Sequence, residues 1–313
     1  MPVLLWVAVL AVLLSGAADA ASGRDRWRAR YFPNVPLVTS EGETVRFYDD
    51  LIKDKVVAIN FIFTDCKDVC PAETARLRQV QELLGDRVGR DIFMYSISID
   101  PENDTPERLA QYAQQFQVGP GWLFLTGNEE DITLLRKKLG LFIDEIQDGS
   151  GDHNVSLVVG NEATGRWMRR SPFDDPQALA TTIGDWLHNW RNSRGAGSSY
   201  SQVKMQPQVS RGEYLFRSRC TACHTLGEPG ELGPDLIGVS EKRDRDWLIR
   251  WIASPDVLLA EGDPIALQIF EQYQQRAMPN LGLNESDVTA VLEFIDRESE
   301  EHLAATRDHG PHH

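Results

Sequence analysis

The 313-residue sequence predicts an α/β domain with a mixed sheet, followed by a small all-α domain. Three observations predict it. From residue 31 to 190, strand-length apolar runs alternate with amphipathic helical stretches. Residues 191–208 (RNSRGAGSSYSQVKMQPQ) are polar, with Gly, Ser and Pro and no apolar stripe, the composition of a linker. From 209 to 297, apolar residues recur at three- and four-residue spacing without a convincing strand.

Residues 56–63 (VVAINFIF) form a continuous apolar run of strand length. Over 72–84, Ala72, Ala75, Val80, Leu83 and Leu84 mark a helix face, and 92–99 is a second buried strand. In DTPERLAQYAQQF, Thr105 is a good N-cap and Pro106 takes the first helical position. Leu109, Tyr112, Ala113 and Phe116 then share one face. Residues 122–125 are a short strand. Asn128 caps a helix with Glu129, Glu130 and Asp131 in its first turn, which suits the helix dipole. Residues 155–159 and 166–169 read as a hairpin, and 177–190 closes the domain as a helix. Beyond the linker, GEYLFRSRC, DRDWLIRWIA and ESDVTAVLEFI are helical, in a unit small enough to need reinforcement of its core. The tail, 298–313, is acidic and then His-bearing, and is expected to be disordered.

Acidic residues outnumber basic ones 47 to 32, for a formal charge of -15. Such a surface repels nucleic acid and directs attention to cationic surfaces, cations or neutral cofactors. There is no Gly-rich phosphate loop, nucleophile elbow or other hydrolytic constellation. The opening stretch, MPVLLWVAVLAVLLSGAADAA, has an unbroken apolar run over 3–14 and a small-residue site at Ala18-Asp19-Ala20. It reads as a signal peptide over 1–20, with an uncleaved membrane anchor as the alternative, because no Lys or Arg precedes the run. Either way the chain is expected outside the cytoplasm.

The four cysteines form two pairs, one per domain. Cys220-Thr-Ala-Cys223-His224 is the attachment signature of haem c. Two thiols add across the vinyl groups of one porphyrin edge, and the next residue's imidazole reaches the iron. Met278 is the only methionine beyond the linker and suits the sixth position, where a thioether raises the reduction potential. The tail histidines His302, His309, His312 and His313 are its competitors. A thiol-disulfide motif would be expected on an α/β unit, and a structural zinc would need further ligands.

The second domain resembles the class I cytochromes c through GEYLFRSRCTACH, LGPDLIGV and MPNLGLNESDVTAVLEFI. The resemblance implies His224 and Met278 as axial ligands and the Pro234 carbonyl as acceptor of the His224 ring N–H. The segment between Ser254 and Ala277 aligns less well.

Cys66 and Cys70 follow the first buried strand, with Pro71 opening the next helix. A helix N-terminus stabilises thiolates, so position alone permits a disulfide, a nucleophilic pair or soft-metal ligands. Two thiolates suit Cu(I). Of the candidate third ligands, His188 reads as a surface or packing residue. His153, in a Gly-rich loop, reads from spacing alone as solvent-exposed.

The first domain resembles the Sco family (Sco1/SenC), thioredoxin-like copper-binding proteins of cytochrome oxidase assembly. VVAINFIFTDCKDVCP, YSISIDPENDTPERL, GWLFLTG and GDHNVSLVV carry the match. The resemblance implies that Cys66, Cys70 and His153 bind copper, as Cu(I) or Cu(II), with Asp152 steering His153 or serving a turn. Asp65 and Lys67 depart from the family's usual residues beside the first cysteine and bear on redox tuning. Asp100, Asp104 and Glu107 read as a capped helix start, with Asp100 and Asp104 in a family-like motif.

The leading expectation is a periplasmic copper metallochaperone with a fused haem c domain, serving the copper-centre subunit of a haem-copper oxidase. Other copper chaperones and c-type cytochromes are further expected partners. The alternatives are a thiol-disulfide oxidoreductase using Cys66 and Cys70, and an electron carrier or redox or copper sensor.

Overall fold

The computed structural model describes residues 31–67, 69–142, 156–188 and 209–308. The expected signal segment, the linker, Asp152, His153, His309, His312 and His313 lie outside those residues.

Seven strands form one mixed sheet: β1 (Pro36–Thr39), β2 (Thr44–Arg46), β3 (Val56–Ile62), β4 (Ile92–Ser98), β5 (Trp122–Thr126), β6 (Leu157–Asn161) and β7 (Arg166–Arg170). Their order is β2-β1-β5-β4-β3-β6-β7. The central strands β3, β4 and β5 are parallel, and β1 and β6 join them antiparallel. All seven residues of β3 are buried. This explains a run without alternation, because helices cover both faces of the sheet centre.

The first helices are α1 (Val69–Leu84), α2 (Pro106–Gln115), α3 (Glu129–Lys138) and α4 (Pro176–Thr181), the last continuing as a wider turn over Thr182–Leu187. Val56, Ala58, Ile62 and Met94 point into one apolar layer with α1, α2 and α4. Val57, Ile59, Phe61 and Ile97 point into the other, with α3 and the wide helical turn Phe47–Ile52. The expected caps form: Thr105 accepts from the Arg108 N–H at 3.3 Å and Asn128 from the Asp131 N–H at 2.9 Å. β1, β2 and Phe47–Ile52 were not among the elements expected from the sequence. Leu83, assigned there to the packed face of α1, is exposed.

The C-terminal region is helical: α5 (Arg211–Leu215, wound on through Phe216–Cys220), α6 (Val239–Lys242), α7 (Arg245–Ala253), α8 (Pro255–Glu261), α9 (Pro264–Gln272) and α10 (Glu285–Asp308). α8 and α9 occupy the segment that aligned poorly. Each opens with proline at its first position. The expectation of a disordered tail from residue 298 is corrected as far as Asp308, because α10 continues there. Its extension is held by Ser299, whose hydroxyl accepts from the Gly238 N–H at 2.9 Å and donates to the Ile295 carbonyl at 2.7 Å. A single buried serine among acidic residues leaves little compositional trace. No helix among the described residues is long and apolar enough to cross a membrane.

Candidate metal and haem sites

Cys66 and Cys70 lie where β3 ends and α1 begins. The loop between them is held from below. Asp104, 1% exposed, accepts from the Thr64 N–H and hydroxyl and from the Ser98 hydroxyl. Asp104, read from the sequence as part of a capped helix start and of a family-like motif that could line the site, therefore fastens the cysteine loop to the end of β4. Asp100 accepts from the Asn103 amide at 2.9 and 3.0 Å. Glu107 is held below the usual carboxylate range by its own backbone N–H and then the Thr105 hydroxyl, as the first turn of a helix dictates. Asp65 pairs with Arg108 on α2. The side chains of that ion pair are well exposed, so it steers the loop more than it stabilises it.

The Cys70 N–H donates to Cys66 Sγ at 3.4 Å. Cys70 is 0% and Cys66 8% exposed. Burial pushes the Cys70 thiol far above its ordinary range. The hydrogen bond and negative charge of Cys66 and the charge of Glu73 push the same way, against a weaker pull from the Phe63 backbone. Two sulfurs converge here in a setting that disfavours ionisation of the Cys70 thiol.

Sequence reasoning missed Glu73. It is fully buried on α1, seven residues before Val80 and so on the same face, and that register was the available signal. The Asn60 amide donates to its Oε1 at 2.9 Å, and the Ser96 hydroxyl in turn donates to Asn60 Oδ1 at 2.7 Å. Trp122 Nε1 donates to the Ser96 oxygen at 2.9 Å. Glu73 Oε2 has no hydrogen-bond partner among the described residues. Burial pushes the carboxyl up to about 8, with Asn60 opposing and the Cys66 charge adding. Its pKa is higher folded than unfolded, so the folded chain holds the extra proton. That stabilisation is complete below about 4.5 and is lost as pH rises through about 8. Glu73→Gln should flatten this slope and leave the variant on the order of 2 kcal/mol more stable than wild type above pH ~8. Denaturant titrations across that range check it, and parallel pH profiles would contradict it.

The second cysteine pair lines a cavity of about 470 Å³ with His224, Pro234, Met278, Trp247 and Trp251. The His224 Nδ1–H donates to the Pro234 carbonyl at 2.9 Å, as the resemblance implied, leaving Nε2 as the ring's other nitrogen. Burial lowers the His224 pKa, against that hydrogen bond, and so favours a neutral imidazole. Burial raises Cys220 to about 12 and Cys223 to about 11. Met278 packs beside the cluster of Trp251, Leu258 and Ala266. Arg276 also lines the cavity. Its Nη1 donates to the Leu232 carbonyl at 2.7 Å, while Nε and Nη2 are buried without a partner among the described residues. An apolar cavity with two thiols, a neutral imidazole, a thioether and an unsatisfied guanidinium fits a haem with anionic propionates.

His188 is exposed on the closing helix. His302 lies on α10, against Gly227, and does not line the cavity. Among the described residues no group of three or more His, Cys, Asp or Glu side chains is arranged to hold a metal ion.

Residues 28–188 match the protein-family model described as SCO1/SenC, and 207–295 match that of cytochrome c oxidase, cbb3-type, subunit III. A SCO2-like protein of Rickettsia conorii is 33% identical over 143 residues, covering 44% of this chain and 67% of the relative. Protein sco1 of Schizosaccharomyces pombe is 32% identical over 152 residues, 45% of this chain and 56% of the relative. The crystal structure of a SCO1/SenC family lipoprotein from Bacillus anthracis is similar at 26% identity and a TM-score of 0.42, covering 48% of this chain and 90% of that one.

Proposed function

Because the chain belongs to the SCO1/SenC family, with a cytochrome c domain behind the family region, we propose that it carries copper for the assembly of cytochrome oxidase. In this reading Cys66, Cys70 and His153 hold the copper, the haem domain is its electron partner, and the chain works in the periplasm. The N-terminal segment serves as signal or anchor, and the copper-centre subunit of a haem-copper oxidase receives the metal. Other copper chaperones and c-type cytochromes are its further partners.

The convergence of two buried sulfurs, joined by the Cys70 N–H at 3.4 Å, carries this proposal. A soft cation displaces both thiol protons and offsets the repulsion between the sulfurs. β6 supports the third ligand. Val158 pairs with Ile59, so β6 enters the sheet near the end of β3 that leads to Cys66, and His153 precedes Leu157 by four residues. In the second domain, Cys220 and Cys223 would attach the haem and His224 and Met278 would hold its iron. The group would supply reversible one-electron transfer there. Pro234 orients the imidazole, Arg276 would meet a propionate, and Trp247 and Trp251 would exclude water.

Anaerobic Cu(I) titration against a chelator tests the copper site. The expected result is one tightly bound copper per chain, weakened about 100-fold or more by His153→Ala, beyond what outer-shell changes typically cost. A second reading, thiol-disulfide exchange at the same cysteines, is favoured by the buried Glu73 beside them. Absence of tight copper, with Cys66 and Cys70 cycling to a disulfide, would replace the first reading by the second.

A further inference from the structure

The haem-attachment turn of the second domain faces α1. Arg76 lies less than two turns after Cys70 and is 4% exposed. Its guanidinium donates across the domain boundary to the Arg217 carbonyl at 2.9 Å, the Ser218 carbonyl at 2.7 Å and the Thr221 hydroxyl at 3.3 Å. Gln79 donates to the Thr221 carbonyl at 2.7 Å, and Arg78 pairs with Glu231. The carbonyls lie where a helical segment ends, so they carry partial negative charge, and the Arg217 carbonyl also accepts from the Thr221 hydroxyl at 2.8 Å.

Apolar contacts surround this clamp. Ala222 and Leu232 belong to the same buried cluster as Cys66 and Cys70, and Cys223 packs against it. Arg276 sits over the Phe116 ring, 5.4 Å from its centroid. At the edge, the Asn280 N–H donates to the Lys67 carbonyl at 3.2 Å. Lys67 follows Cys66, and Asn280 stands two residues beyond Met278. Cys66 Sγ and Met278 Sδ are thus joined by covalent bonds and a single hydrogen bond. A linker alone does not produce such an interface. Burying a guanidinium is costly unless fixed acceptors meet it; here the other domain supplies three and Gln79 a fourth, while Nε has no hydrogen-bond partner among the described residues.

Resting on the copper-and-haem reading, we propose that the two domains form one docked redox unit, clamped by Arg76 and electronically coupled through the Lys67 carbonyl and the Asn280 amide. The step is a one-electron exchange. With Cys66 and Cys70 holding copper and Cys220, Cys223, His224 and Met278 holding haem, the pair would supply this exchange: Cu(II) would become Cu(I) as ferrous haem iron became ferric, with no proton moved. The haem is then reduced again by an external one-electron donor protein.

The test uses the full chain with haem attached and Cu(II) bound, the latter verified by its sulfur-to-copper absorption. The haem is reduced by a laser pulse with an external photoreductant, and its ferrous absorption is followed. The expected decay is first order and unchanged on dilution. Arg76→Gln and Asn280→Pro should each slow it at least about tenfold, since small misplacements cost that much in preorganised systems. X-ray scattering should show Arg76→Gln as the more extended molecule. A decay rate that scales with protein concentration, or one unaffected by both Arg76→Gln and Asn280→Pro, overturns the proposal while leaving the copper site standing. If the copper absorption never appears, the copper reading falls and takes this inference with it.

Discussion

Cys66→Ser will leave the fold in place and abolish tight Cu(I) binding. Serine is nearly isosteric, and its oxygen still accepts from the Cys70 N–H, so the loop should keep its shape. The destabilisation should stay within about 1 kcal/mol, the usual scale for a mild change. Copper affinity behaves differently. A hydroxyl is a hard donor that keeps its proton, while Cu(I) prefers thiolate sulfur. Removing an outer-shell partner costs a metal site about 10–100-fold, and loss of a direct sulfur ligand should exceed that range. Chelator competition reads the change. A variant that still bound one copper at wild-type affinity would remove Cys66 from the site.

The second large effect is expected at Gly212. A Cβ at this position would lie 1.9 Å from the Ala290 carbonyl oxygen and 3.2 Å from Phe294 Cβ. The helical segment that begins with α5 crosses α10 there, with the rings of Phe216 and Phe294 5.3 Å apart. The obstacle is backbone, so no rotamer change relieves it and the helices must separate. Gly212→Val should cost at least about 3 kcal/mol, the upper end for overpacking. Denaturant unfolding followed at the haem absorption would show it. A loss below about 1 kcal/mol would mean that the crossing is softer than the structure indicates.

The parts legible in the sequence were those in which one residue type has one physical use. The alternation of apolar runs and capped helices specified the central strands and α2 and α3, because Thr105 and Asn128 announce their helices directly. Cys220, Cys223 and His224 were singled out for the same reason, and the structure brings all three to one cavity. The edge of the sheet was not: β1 and β2 have four and three residues, too few for a period to show. Glu73 escaped because a carboxylate on a helix suggests solvent, and only its register with Val80 contradicts that. Asp104 was legible as part of a helix start, but its grip on Thr64 depends on a contact 40 residues away. Nothing in a linear pattern predicts that Arg76 ends against carbonyls more than 140 residues downstream.

The docking of α1 on the CTACH turn also imposes an order on biogenesis. Cys220 is 8% exposed in the closed molecule, and Arg76 and Gln79 hold the residues beside it. A haem-attaching enzyme needs those thiols and the turn around them in an open chain. Under the proposed attachment, the prosthetic group is therefore installed first and the clamp closes over it afterwards. Under that attachment, a chain that docked before haem insertion would offer Cys220 and Cys223 only through the cavity they line.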